Sequence, residues 1–219
     1  VGQLEGMLKI VHGQRSPAGS LDGGAAKDDL AELAKRTVAR EAEAIRRLIE
    51  AVGPSMCRAA SSVLGPDARD LDDVMQEALE GLLEALPSFR HQCSVLHFAC
   101  RVAVLSALVS RRRAGVRARW TLETPAIDEW PGRDQISPDD AALSARRRVV
   151  LGMLLDELPS AQAEVLILHC ALGFTIQEIA TSQGRSVETV RSRLRLAKET
   201  LRDRILASRE LAEALGTTS

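Results

Sequence analysis

The stretch TIQEIATSQGRSVETVRSRLRLAKETL, Thr175–Leu201, sets two helical patterns around a single glycine. Thr175 with Glu178 three residues later is a capping box: the hydroxyl accepts from a free backbone N–H while the carboxylate reaches back to the cap. Ile176, Ile179 and Ala180 give the first helix its apolar face, and Gly184 falls at the turn. Ser186 is a natural cap for a second helix. There Val187, Val190, Leu194, Ala197 and Leu201 recur at helical spacing and must face a core. Glu188, Thr189, Arg191, Ser192 and Arg195 are left pointing outward. Ala180, Gly184 and Val190 are spaced as in a helix-turn-helix, where a small residue and a glycine let two helices cross closely. Arg185–Arg204 carries seven bases against three acids, and an outward basic face on the second helix is what entry into a major groove requires. A plain helical hairpin would share the periodicity but not the coincidence of capping box, turn glycine and basic helix.

Working outward, the chain reads as helix throughout. Ala, Leu, Arg and Glu dominate, all residues that lose little rotamer freedom in a helix. Aromatic residues are 2% of the 219, with no Tyr. "DLDDVMQEALEGLLEALPSF" places Leu71, Val74, Met75, Ala78, Leu82 and Leu86 at helical spacing, with Asp70 as the expected N-cap and Pro87 as the stop. Gly53-Pro54 and Gly65-Pro66 are read as breaks on either side of a short helical stretch. Residues 114–142 hold three prolines and no periodicity, the mark of a linker. The fold class expected is all-α, with two helical domains joined by a flexible linker. The boundaries are a flexible N-terminal extension over 1–40, a first domain over 41–113, the linker over 114–142, a helix-turn-helix domain over 143–208 and a tail over 209–219.

Net charge is −1, but the distribution is uneven. Asp67–Glu84 holds seven acids and one base, whereas 85–122 holds seven arginines and no acid. Charge segregated in this way suggests two different partner surfaces. No basic patch followed by an apolar run opens the chain, and no stretch reaches the roughly 18 apolar residues of a membrane span. The expected location is the cytoplasm, with reduced cysteines. No nucleophile–base pair, phosphate-binding loop or metal motif is present, so no enzyme is expected and no cofactor.

"HQCSVLHFAC", His91–Cys100, invites a metal reading, with two cysteines and two histidines in ten residues. On a helix Cys93, His97 and Cys100 would share a face. Cys93 and Cys100 would then stand about 10.5 Å apart along the axis, more than two Zn–S bonds of about 2.3 Å and two one-carbon arms span comfortably. The tandem Cys-x-x-Cys of structural zinc sites is missing. Cysteines acting as small buried hydrophobes account better for the stretch, and Cys57 and Cys170 read the same way.

The last third resembles region four of bacterial RNA polymerase sigma factors, most closely the extracytoplasmic-function group. The pattern stands here without gaps as Leu158-Pro159, Gln162, Glu164-Val165-Leu166, Gly173, Glu178-Ile179-Ala180, Gly184 and Thr189-Val190-Arg191-Ser192-Arg193-Leu194. The middle third is similar to region two, with Gln76-Glu77 at the centre of the acidic helix and Phe89-Arg90 at its end. Phe98 takes the place of the family's Trp and Cys100 that of its Tyr, followed by Arg101-Val102-Ala103. Where the family places polar residues on the DNA-facing side, this chain has Val104, Leu105 and Val109, making that helix apolar nearly all round. Such a helix is deeply buried or has a partner on its outer face. Arg185 and Glu188 also differ from the family's usual apolar residue and Gly.

The resemblance implies a sigma factor that binds the RNA polymerase core and directs promoter recognition and transcription initiation. It implies polymerase contact by Asp73, Gln76, Glu77 and Glu80. Contact with the opened downstream promoter strand falls to His91, Gln92, Cys93, Ser94, Phe98, Arg101, Arg111, Arg112 and Arg113. Reading of the upstream element falls to Arg185, Ser186, Glu188, Thr189, Arg191, Ser192 and Arg195. The partners implied are polymerase core and promoter DNA, with an anti-sigma factor as a further class and a monomer as the free state. Two other readings stay open: a helix-turn-helix regulator acting without polymerase, and a degenerate sigma-like module that binds a protein instead of a single strand.

Overall fold

The computed structural model describes residues 24–65, 68–121 and 150–208, and every regular element among them is helical. Helix α1 is Gly24–Val38, α2 Ala42–Leu64, α3 Leu71–Ala85 with a 3-10 turn at Leu86–Ser88, and α4 Val95–Thr121. After the undescribed interval come α5 over 150–157, α6 Ser160–Leu166 with a π-helical turn at Ile167–Ala171, α7 Ile176–Gln183 and α8 Val187–Ala207.

Helix α2 is the axle of the N-terminal half. Ala44, Leu48, Val52, Met56, Ala59, Ala60 and Val63 recur every three or four residues and are all buried. They meet Val74, Ala78 and Leu82 of α3 and the small residues Ala99, Ala103 and Ala107 of α4, which let the backbones approach. The break expected at Gly53-Pro54 does not occur, because α2 runs straight through Pro54. Proline forfeits one backbone hydrogen bond there, but Pro54 and Glu50 are exposed while Val52, Ser55 and Met56 are buried, so packing carries the helix past a loss on its wet side. The true stop is Gly65, at φ +101°.

Several other expectations are corrected. The extension over 1–40 is not wholly flexible, because α1 falls inside it and buries Leu30, Leu33 and Ala34. Those three make an apolar stripe along α1. Asp70 holds the N-cap position of α3 without capping it. Its carboxylate instead accepts from the Ser110 hydroxyl at 3.0 Å, since Ser110 is buried on α4 and needs a partner. Cys57 is exposed, not buried, whereas Cys100 and Cys170 are buried as expected. Helix α4 passes the expected domain limit at 113 and continues to Thr121. The remainder of the linker, residues 1–23 and the tail over 209–219 lie outside the described residues.

In the C-terminal half, Leu154, Leu155 and Leu158 of the α5 segment pack with Leu166, Ile167, Leu168, Ile179 and Leu201, all nearly inaccessible to solvent. Pro159 stands between α5 and α6 at the N-cap of α6. In the π-helical turn the Leu172 N–H reaches Ile167 O at 3.1 Å and the Phe174 N–H reaches Leu168 O at 3.0 Å. Gly173 between them sits at φ +76°, a conformation open to glycine at no steric cost. The buried residues of the two halves belong to one cluster, because α4 packs on α2 and α3 on one side and on α6, its π-helical turn and α7 on the other. The helix that reads as apolar nearly all round is therefore covered in part by the chain's own C-terminal half: Val104 is buried, Leu105 half-buried and Val109 still 45% exposed.

Leu82 is fully buried between α2 and α4. Leu82→Ala should lower the free energy of unfolding by about 2–5 kcal/mol, whereas Glu80→Ala on the exposed side should stay within about 0.5 kcal/mol. Urea denaturation followed by circular dichroism distinguishes the two.

Candidate nucleic-acid interface

The helix-turn-helix is built from its caps. The Thr175 hydroxyl accepts from the Glu178 N–H at 3.2 Å, and the Glu178 carboxylate accepts from the Thr175 N–H at 2.8 Å. This is the full capping box, of the kind whose loss costs about 0.5–2 kcal/mol. Gly184 ends α7 in the left-handed region at φ +60°, and the Arg185 N–H closes back on Ala180 O at 3.0 Å. Ser186 then caps α8 by accepting from the Thr189 N–H at 3.2 Å. Val190, Leu194, Ala197, Leu201 and Ile205 are buried, which fixes the rotation of α8 about its axis.

That rotation leaves Arg185, Ser186, Glu188, Arg191, Ser192 and Arg195 exposed, with Thr189 half-buried. Two of the outward arginines carry an acid beside them: Arg191 lies 2.6 Å from Glu188 and Arg195 2.8 Å from Glu199. Exposed pairs of this kind contribute little to stability but hold each guanidinium in one place. Ser186 and Thr189 hydroxyls are 2.8 Å apart and serve the cap. Arg193 turns inward to donate to Gln183 at 3.1 Å, joining the two helices of the motif.

On α3, Asp73, Gln76, Glu77 and Glu80 are all exposed on the side opposite Val74, Ala78 and Leu82. The sequence-predicted polymerase residues are therefore brought together on one acidic face. Gln76 donates to Glu80 at 3.0 Å, and Glu77 lies 3.5 Å from Arg113.

The predicted strand-contacting residues divide into two groups. His91 at φ +53°, Gln92 and Ser94 are exposed in the loop. Phe89 stacks on Phe98 with centroids 4.7 Å apart and touches the His91 ring at 4.8 Å, a small aromatic platform at the start of α4. Ser94 accepts from the His97 N–H at 3.2 Å. Cys93 is half-buried, and burial raises its thiol pKa, with Arg101 opposing. Cys100 is buried, its thiol pushed up to about 12 by desolvation, which keeps it an uncharged apolar neighbour.

The second group faces the C-terminal half. The Arg101 guanidinium donates to Glu164 at 2.7 Å and to Ser182 O at 3.3 Å. Arg111 grips Asp156 with two bonds, at 2.8 and 3.0 Å. Arg112 donates to Leu158 O at 3.1 Å and to the Ser160 hydroxyl. Arg113 remains exposed. Beside Arg101, the His97 ring lies flat on Phe174, with centroids 3.9 Å and planes 9° apart. Desolvation lowers the His97 pKa to about 4, against a smaller upward pull from Glu178 and a further downward push from Arg101. Sequence reasoning missed Glu164, Asp156 and Phe174 as partners. Only the excess of unmatched arginine over 85–122 hinted that acids must arrive from elsewhere.

Residues 48–117 match the Sigma-70 region 2 family and residues 143–201 the Sigma-70, region 4 family. The ECF RNA polymerase sigma factor ShbA of Streptomyces griseus is 30% identical over 165 residues, which span 73% of this chain and 86% of that protein. The ECF RNA polymerase sigma factor SigD of Mycobacterium tuberculosis is 27% identical over 215 residues, 96% of this chain and 98% of that one. The solved structure of CnrH in complex with the cytosolic domain of CnrY shares the fold at a TM-score of 0.52 and 21% identity, over 82% of this chain and 99% of that chain.

His97 generates a pH dependence. Its folded-state pKa of about 4 lies below the ordinary 6.5, so the folded chain favours the neutral ring. The stability this confers is fully present above pH 6.5 and is lost as pH falls from 6.5 toward 4, by up to about 1.4 kcal/mol per pH unit. His97→Phe keeps a ring on Phe174 and removes the proton. Urea midpoints at pH 7.5, 6 and 5 should fall more steeply for the native chain than for the variant, and equal slopes would show that His97 is already solvated.

Proposed function

Since the chain belongs to the extracytoplasmic-function group of RNA polymerase sigma factors and directs transcription initiation, we propose that its two exposed charged faces divide the work. The acidic face of α3, with Asp73, Gln76, Glu77 and Glu80, docks on the polymerase core. The α7–turn–α8 unit enters the major groove of the upstream promoter element, with Arg191 and Arg195 reading bases or phosphates. The loop from His91 to Ser94, the Phe89–Phe98 platform and the arginines of α4 take the unpaired downstream strand. An anti-sigma factor completes the partners, and the site of action is the cytoplasm, where the polymerase works. No helix among the described residues is long and apolar enough to cross a membrane.

The observation that carries this reading is the rotation of α8. Five buried side chains hold it so that Arg191 and Arg195 stand on the exposed side. Stacking on aromatic faces is the usual means of holding an unpaired base, and Phe89 with Phe98 supplies one such surface. Glu188 makes the chain selective: beside Arg191 it repels phosphate, and it accepts from a cytosine amine if the groove presents one.

Two measurements test the division. Glu77→Lys should weaken binding to polymerase core and leave thermal unfolding unchanged; a loss of stability with binding intact would make Glu77 structural. Arg191→Ala and Arg195→Ala should each reduce duplex affinity. A base-reading arginine loses about 1–3 kcal/mol and relaxes preference at one base pair, whereas a phosphate-binding arginine weakens all sequences and lowers the salt slope by about 1. Competition binding over a duplex panel at two salt concentrations separates these, and no change in either variant would remove α8 from the groove.

A further inference from the structure

At the N-terminal end of α8 the Ser186 and Thr189 hydroxyls are taken by the cap. Glu188 in the first turn and Arg191 on the next are left together on the exposed side. Arg191 Nη1 lies 2.6 Å from Glu188 Oε1, with the two side chains 60% and 78% exposed. Two groups that meet at that distance reach the same place in front of the helix, not two separate places. Their bond uses one carboxylate oxygen and leaves most of the guanidinium donors free. Being exposed, it costs little to release. Arg195 differs in direction. Its acid, Glu199, lies on the C-terminal side at 2.8 Å. That draws Arg195 away from the helix N-terminus, the end whose residues meet base edges when a recognition helix lies in the groove.

We propose that Glu188 and Arg191 read a single G·C base pair as a unit, Arg191 on the guanine and Glu188 on the cytosine amine, and that Arg195 binds phosphate. This inference deepens the reading in which α8 enters the major groove and rests on it. The edge of a G·C pair presents two acceptors, guanine N7 and O6, beside one donor, the cytosine N4 amine. A guanidinium fork and a carboxylate placed side by side satisfy all three. An A·T pair sets its one donor, adenine N6, between two acceptors, adenine N7 and thymine O4. There the carboxylate meets an acceptor on either side of the amine, and the fork loses its adjacent acceptors. A C·G pair has the right groups in the reverse order, while the helix fixes the side on which the acid stands. At any other base pair Glu188 has no amine to accept from and stays unpaired in a groove walled by phosphates. The two side chains therefore gain on one base pair and lose on the others.

The test uses the full chain bound to RNA polymerase core and a duplex pool randomised across the upstream element. Bound sequences are recovered for the native chain, Glu188→Ala, Arg191→Ala, the double variant and Arg195→Ala, at two salt concentrations. Glu188 and Arg191 are exposed, and the five buried side chains that hold α8 are left alone. The native chain should select G·C at one position. Glu188→Ala and Arg191→Ala should each relax that same position, by about ten- to a hundredfold, and the double variant should relax it no further than either single one. Arg195→Ala should leave every positional preference in place and lower the salt slope by about 1. Relaxation at two different positions, an additive double variant or a selected pair other than G·C overturns the joint reading and leaves α8 in the groove. Relaxation by only one of the two substitutions overturns it as well. A base preference lost in Arg195→Ala overturns the phosphate assignment. No change of preference in any variant overturns the joint reading together with groove entry by α8.

Discussion

Helix α4 carries apolar side chains on nearly every side over residues 95–109, and most of them are withdrawn from solvent wholly or in part, Val109 at 45% exposure being the exception. One face receives α2 and α3 through Ala99, Ala103 and Ala107. The opposite face would leave His97, Val104 and Leu108 against water if the N-terminal half stood alone. Burial of a side chain of this kind is worth roughly 1.5–3 kcal/mol, so the C-terminal half is drawn over it. The position of every other element follows. Helix α6 and its π-helical turn lie along α4, α7 comes to rest beside Arg101, and α8 is left on the outside with Arg191 and Arg195 exposed.

The polar contacts across this seam are of a different kind from the apolar ones. Arg101–Glu164 is largely withdrawn from solvent, and such a pair adds little net stability while penalising any arrangement that leaves one partner behind. Its effect is to specify register. The halves cannot slide along α4 without separating Arg101 from Glu164 and Arg111 from Asp156 together. The exposed pairs on α8 contrast with this. Glu188 and Glu199 cost their arginines little to leave, which suits side chains that exchange an internal partner for a duplex.

What the sequence made legible was local. The capping box, the glycine turn, the Ser186 cap and the apolar stripe of α8 are written within a span of a few residues, and each is found in the structure. The acidic face of α3 was equally plain, because a stripe of Val74, Ala78 and Leu82 dictates what points the other way. Pro54 misled because propensity is a local cost that tertiary packing overrode. Asp70 misled because its better partner, Ser110, lies 40 residues away. The contact between the two halves was not legible for the same reason. Glu164 sits in a family pattern and His97 in a cysteine-rich one, and nothing in either neighbourhood points to the other. The apolar surplus of α4 showed that something must cover it, but not which part of the chain would.

The π-helical turn at Ile167–Ala171 bears on how this fold can change over generations. A π turn is an α-helix that has absorbed one extra residue. Here the surplus is taken up just before Gly173, so everything beyond it, Phe174 and the whole of α7 and α8, is rotated by about 100° relative to an uninterrupted helix of 3.6 residues per turn. Loss of a single residue in 167–171 would therefore be no small edit. It would restore regular helix and swing Phe174 off His97. The segment tolerates exchange of side chains of similar volume and shape, but its length is fixed by what lies on either side of it.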